Sequence, residues 1–228
     1  MVQRIEGVAF AESVVEVDGY RIRCFEAGDG EPALRIDVEG NPQLTRMDAL
    51  LSQRHRLIVV ELPGVDASAG GSARSARDLA HTLVAAARAF GLTRYSLLAS
   101  SFGAAVALWQ ALEDGENIDA LVLLAPGAIV PDGWRPPAGD RDFPFAPDNE
   151  LEQHLPQVGV PTLVVFGTED RVIPSEMGRV YRSSMPNCNL AFMYDAGHAI
   201  AADRPDAAAE LVGDFLERHE LFVVARDS

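Results

Sequence analysis

Apolar positions along the chain come in short runs whose period changes. Val14 to Val17 and Tyr20 to Phe25 are strand-like runs separated by Asp18-Gly19, which predicts a β-hairpin. Gly28-Asp29-Gly30 closes it, and Ala33 to Val38 predicts a third strand that stops at Glu39-Gly40-Asn41-Pro42. From there strands and helices alternate. Leu57 to Leu62, Tyr95 to Ala99, Ala120 to Leu124, Thr162 to Phe166 and Leu190 to Tyr194 are continuous apolar runs of strand length. Met47 to Gln53, Ser75 to Phe90, Phe102 to Leu112, Glu176 to Ser184 and Pro205 to Arg218 carry helical patterns between and after them. Apolar strands alternating with helices predict an α/β protein, with a mostly parallel central sheet covered by helices on both faces.

One region breaks the rhythm. Residues Pro126 to Gln157 are rich in proline and glycine, with helical character only over about Asn149 to His154. An excursion of this length in a compact domain reads as a binding loop or lid. Trp134, Phe143 and Phe145 give it apolar anchors, so a short ordered lid over 126–157 is expected.

Composition narrows the function. A chain of 228 residues fits one domain, 1–228, large enough for a sizeable core. With 34 acidic against 19 basic residues its formal charge is -15, which disfavours nucleic acid and anionic membrane surfaces as partners. Every basic residue is arginine, which excludes a Schiff-base lysine and a Walker A phosphate loop, since both need an amine. Cys24 and Cys188 form neither a CxxC pair nor a disulfide framework, and a Cys-rich zinc site is excluded. The sequence has no apolar run long enough for a membrane span or a signal peptide, which predicts a soluble cytoplasmic protein. A homo-oligomer is compatible with all of this.

The strongest chemical signal is Ala99-Ser100-Ser101-Phe102-Gly103-Ala104, between a predicted strand and a predicted helix. A serine on such a sharp turn exposes its hydroxyl, and small neighbours let strand and helix close around it. The usual spelling is GxSxG; here Ala99 replaces the first glycine. The competing reading is a plain serine helix cap at Ser100 or Ser101. A serine nucleophile needs a base, and the base an orienting acid. Asp170, after the strand ending at Phe166, and His198, after the strand ending at Tyr194, supply them in the order Ser, Asp, His. Glu169 and Asp132 are rival acids. His55, His81, His154 and His219 have no partner at metal spacing and read as surface residues.

These motifs make the chain resemble the α/β-hydrolase superfamily, in its single-domain form with a reduced cap. The resemblance runs from about Ser13 to about His219, and includes Glu61-Leu62-Pro63-Gly64 and Pro161-Thr162-Leu163-Val164-Val165-Phe166-Gly167. It implies a Ser101 nucleophile, a His198 base and an Asp170 orienter, with backbone N–H groups of Asn41 and Phe102 as the oxyanion hole. It implies no metal and no organic cofactor. The chain departs from the family at Glu39-Gly40, where a histidine-glycine pair is usual, and at Ala99 and Ala104, where glycines are common. Glu39, Ser100, Trp134, Phe143 and Phe145 are candidates for the substrate pocket. The expected activity is acyl transfer from a small-molecule ester or thioester of a small, partly apolar acid. Carbon–carbon hydrolysis or a lyase reaction by the same residues, and ligand binding without turnover, are the alternatives.

Overall fold

The hairpin around Asp18-Gly19 is present and longer than the apolar pattern predicts. Strand β2 (Val8–Val17) pairs antiparallel with β3 (Tyr20–Ala27), and Asp18 and Gly19 both take positive φ, 50° and 79°. Two consecutive left-handed residues match the twist of the flanking strands. A further strand, β1 (Val2–Ile5), pairs with β2 through the same device at Glu6-Gly7. The sequence pattern misses β1 because three of its four residues are exposed and the fourth half-buried, so no apolar face marks it.

In the computed structural model, residues 2–37, 43–62, 75–131, 133–135 and 148–222 are described. Their remaining strands are β4 (Glu31–Asp37), β5 (His55–Glu61), β6 (Tyr95–Ser100), β7 (Ile118–Leu124), β8 (Thr162–Gly167) and β9 (Cys188–Met193). Among the described residues they form one sheet in the order β1-β2-β3-β5-β4-β6-β7-β8-β9. Every pair from β5 to β9 is parallel, and the pairs from β1 to β5 are antiparallel. All parallel strands therefore point their carboxyl ends to the same edge, where ligands bind in such sheets.

Alternation along the central strands divides the core in two. Leu97 and Ala99 of β6, Leu121 and Leu123 of β7, and Val164 and Phe166 of β8 face one layer. That layer holds α2 (Ala76–Ala89), α3 (Gly103–Asp114) and α5 (Gly178–Ser184). Leu98, Val122, Leu163 and Val165 face the other, against α1 (Arg46–Leu51), α6 (Ile200–Asp203) and α7 (Pro205–Arg218). Helix α4 (Asn149–His154) closes the excursion after β7, as expected. The helix expected over Glu176 to Ser184 is a 3-10 turn (Ser175–Met177) followed by α5. Helix α6 was not expected; four residues are too few to show a period.

Two buried polar features depart from the sequence reading. His55, expected on the surface between two arginines, is only 5% exposed. It opens β5, and the Gly28 backbone lies so close to its carbonyl oxygen that a side chain at 28 would collide. Its Nε2 is buried without a hydrogen-bond partner, and burial pushes its pKa below the usual 6.5. His154 and His219 are half-buried, His154 with its ring 5.4 Å from that of Trp109, while His81 is exposed.

The second is an ion cluster on a central strand. Arg35 of β4 is buried, with Nε 2.8 Å from Asp48 Oδ1 and Nη1 3.3 Å from Asp37 Oδ2. Its Nη2 donates to the Gln43 carbonyl at 2.8 Å. Asp48 in turn caps α1, its Oδ2 accepting from the Thr45 amide (2.6 Å) and hydroxyl (2.9 Å). One guanidinium thus joins β4, α1 and the segment entering α1.

Candidate active site

Strand β6 ends at Ser100, α3 begins at Gly103, and the turn between them carries Ser101 at φ 51°. A non-glycine residue there costs on the order of 1–2 kcal/mol, so its surroundings must impose it. They do so through the backbone. The Ser101 amide donates to the Leu124 carbonyl of β7 at 3.0 Å, and its carbonyl accepts from the Gly127 amide at 2.8 Å and the Ala104 amide at 3.2 Å. Ala99, fully inside the sheet, and Gly103 leave room for this closure. The helix-cap reading fails: Phe102 occupies the N-cap of α3, and no side chain bonds there.

The acid turn follows β8. Thr168 and Glu169 amides donate to the Met193 and Ala196 carbonyls at 3.0 and 2.9 Å, fastening the turn to the segment after β9. Gly167 makes this possible, because a side chain there would strike the carbonyls of Ala196 and Gly197. Asp170 Oδ1 accepts from the Val172 and Ile173 amides at 2.8 and 3.0 Å. With one oxygen so occupied, Oδ2 is directed at His198 Nδ1, 2.9 Å away, and the carboxylate is fully buried. Glu169 is exposed and points to no such partner.

His198 stands on the loop after β9, with 21% of its side chain exposed. Asp195 at φ 55° turns the chain, and Gly197 donates its amide to Asp203 Oδ2 at 2.8 Å. Arg204 holds the start of the loop, its Nη1 reaching the Tyr194 carbonyl at 2.9 Å. Asp203 and Arg204 were missed at the sequence level; their only signal is position, just beyond a candidate histidine. His198 Nε2 lies 2.8 Å from Ser101 Oγ. An Nδ1–H donated to Asp170 leaves a lone pair on Nε2 facing the Ser101 hydroxyl, an arrangement that can accept its proton.

The structure therefore brings Ser101, His198 and Asp170 into one hydrogen-bonded line at the carboxyl edge of the sheet. Ser100 ends β6, half-buried beside them. Trp134 is half-buried, its ring centroid 6.2 Å from that of Phe102 and its Nε1 donating to the Val172 carbonyl at 3.0 Å. Glu39, Asn41, Asp132, Phe143 and Phe145 lie outside the described residues. Among the described residues no three His, Cys, Asp or Glu side chains gather at metal-binding distance, and no helix is long and apolar enough to cross a membrane.

A nine-stranded, mostly parallel sheet with a strained serine turn after β6 defines a class, and the comparisons agree with it. A family model described as the alpha/beta hydrolase fold matches residues 40–145. Over that stretch the chain is similar to the α/β-hydrolase superfamily, and its sheet has that fold. It is 34% identical over 70 residues to the uncharacterized hydrolase YugF of Bacillus subtilis, a match covering 31% of this chain and 25% of that protein. It is 32% identical over 94 residues to the pimeloyl-[acyl-carrier protein] methyl ester esterase of Neisseria meningitidis, covering 40% of this chain and 37% of that one. The matched segments thus span well under half of these relatives. A solved membrane phospholipase A, a bacterial virulence factor, superposes with a TM-score of 0.79 at 20% identity, over 91% of this chain and 86% of its own.

Proposed function

We propose that the protein is a serine hydrolase that cleaves a small-molecule ester or thioester through an acyl-enzyme. The observation that carries this reading is the line Ser101 Oγ–His198 Nε2–Nδ1–Asp170 Oδ2, with separations of 2.8 and 2.9 Å. A serine hydroxyl is a poor nucleophile until a base removes its proton as it attacks. In the proposed reaction Ser101 Oγ bonds to the acyl carbon while its proton moves to Nε2. Asp170 holds the imidazole in the required tautomer and favours the imidazolium. Collapse of the tetrahedral adduct expels the alcohol or thiol, which takes the proton from Nε2. A water then repeats the sequence on the acyl-enzyme and frees the acid.

The oxyanion is assigned to the backbone N–H of Phe102, just before α3, and to that of Asn41. Preorganised donors of this kind contribute about 3–4 kcal/mol each to the transition state. The chain is read as one domain, 1–228, with 126–157 as a short lid over the pocket. The acid portion of the substrate is read as small and partly apolar. The ester activity in the name of the Neisseria relative is in keeping with it.

The test is hydrolysis of p-nitrophenyl butyrate together with labelling by a p-nitrophenyl alkylphosphonate. Turnover by the wild type and a single adduct at Ser101 are expected. An adduct at Ser100, or turnover that survives Ser101→Ala, overturns the reading.

A further inference from the structure

Trp134 offers an indole N–H to a peptide that already serves the acid. The carbonyl of Val172 and the amide of Ile173 belong to one planar peptide unit. Its oxygen accepts from Trp134 Nε1 at 3.0 Å, and its N–H donates to Asp170 Oδ1 at 3.0 Å. Asp170 then faces His198 through its other oxygen, and His198 faces Ser101. The contacts form a continuous chain: indole, peptide, carboxylate, imidazole, hydroxyl. Polar groups linked in this way polarise one another and share a common orientation.

The same side chain also reaches the other end of that chain. Its ring is tilted 45° against Phe102, the residue next to Ser101, at a centroid distance of 6.2 Å. Trp134 therefore spans from the acid turn to the nucleophile turn. Both attachments engage groups that set the geometry of the line. A tryptophan serving only as an apolar wall has no reason to direct its N–H at the acid turn.

We infer that Trp134 is a positioning residue: its indole N–H fixes the Val172–Ile173 peptide, and through it the direction in which Asp170 presents Oδ2 to His198. Rotation of that peptide would break the bond to Trp134 and the bond to Asp170 together. Without the indole donor the carbonyl has a reason to turn toward solvent, and the carboxylate loses one of the two amides that hold Oδ1. The role rests on the hydrolase reading above. It acts on the rate of the chemical step and leaves substrate binding alone.

Trp134→Phe removes the donor and keeps a ring against Phe102. With p-nitrophenyl butyrate, kcat should fall about tenfold, the scale of one hydrogen bond, with KM within about twofold of wild type. Phosphonate labelling of Ser101 should slow by the same factor. In an Asp170→Asn background, where the acid no longer directs the imidazole, the same change should slow labelling by less than about twofold. Replacing Trp134 by benzothienylalanine exchanges N–H for sulfur at nearly constant shape, and decides the matter should Trp134→Phe fold poorly. Equal losses in both backgrounds, an unchanged kcat, or a change confined to KM would overturn the inference. A wild-type protein that neither turns over nor labels at Ser101 would overturn the hydrolase reading and this one with it. A wild type that labels, with variants that label equally fast, would remove the role of Trp134 alone.

Discussion

The carbonyl of Ser101 accepts the Gly127 amide at 2.8 Å, so the turn bearing the serine is tied to the first residues of the excursion after β7. The Ser101 amide makes the matching bond on the other side, to Leu124 at 3.0 Å. Together they hold the backbone of a left-handed serine in place.

This makes Ser101 a residue whose replacement should separate activity from stability. Ser101→Ala should lower turnover by about 10⁴ or more and abolish phosphonate labelling while leaving the fold intact. Ser101→Gly should be equally inactive yet more stable than Ser101→Ala by about 1 kcal/mol, because only glycine accepts this φ without strain. Urea midpoints of the two variants check it; an alanine variant as stable as the glycine variant would contradict the strain.

Asp170→Asn should reduce kcat by on the order of 10⁴, since an amide no longer selects the imidazole tautomer. Glu169→Gln should leave kcat within a few-fold of wild type, because Glu169 is exposed. Asp132→Asn serves as the control for an acid drawn from after β7. The ester assay on all three distinguishes them, and damage at Asp132 would move the acid.

Arg35 and Asp48 should behave as a pair. Arg35→Met leaves the buried Asp48 and Asp37 carboxylates without their shared guanidinium, and Asp48→Leu leaves Arg35 with Asp37 alone, so each should be destabilising, Arg35→Met by about 3–5 kcal/mol. Making both changes together should cost less than the sum of the two, and chemical denaturation of the four proteins gives the coupling. Simple additivity would mean that the 2.8 Å approach of Nε to Oδ1 carries no energy.

His55 makes stability depend on pH in one direction. Its folded pKa lies below 6.5, chiefly because it is desolvated and secondarily because Arg54 is near, while Glu217 and Glu31 oppose the shift less strongly. Between the folded value and 6.5 the unfolded chain binds a proton that the folded chain refuses. Stability should therefore be whole above pH 6.5 and decline as the pH falls through the folded value. The difference between wild type and His55→Gln, taken from urea midpoints at pH 8 and pH 5, isolates this contribution from that of the carboxylates. It should be smaller at pH 5.

The architecture was legible because its strands are apolar on both faces and its turns carry their own chemistry. Asp18-Gly19 announces its hairpin, and the order Ser101, Asp170, His198 anticipates the residues that the sheet brings together. The hidden features involve partners far apart in sequence. Arg35 reads as a charge that should interrupt a buried strand until Asp48, on a helix, is seen to meet it. His55 lies between Arg54 and Arg56 and reads as surface; its place at the start of the buried strand β5 shows otherwise. Trp134 reads as one more aromatic on a loop, because its acceptor at Val172 lies 38 residues away.

The sheet order has a consequence for how the molecule comes into being. Ser101 follows β6, Asp170 follows β8 and His198 follows β9, which among the described residues ends the sheet and pairs with β8 alone. The serine and histidine are 97 residues apart, and parallel neighbours become adjacent only through crossover connections. Such non-local pairing is the slow part of folding. Ser101 can be seated on its turn once β6 and β7 are joined, yet on the proposed reading it lacks its base, His198, until β9 docks. During refolding, reactivity toward phosphonate should therefore emerge in the slowest phase, after the spectroscopic signal of helix has recovered. Under the proposed function, chemical competence becomes a clock for the docking of β9.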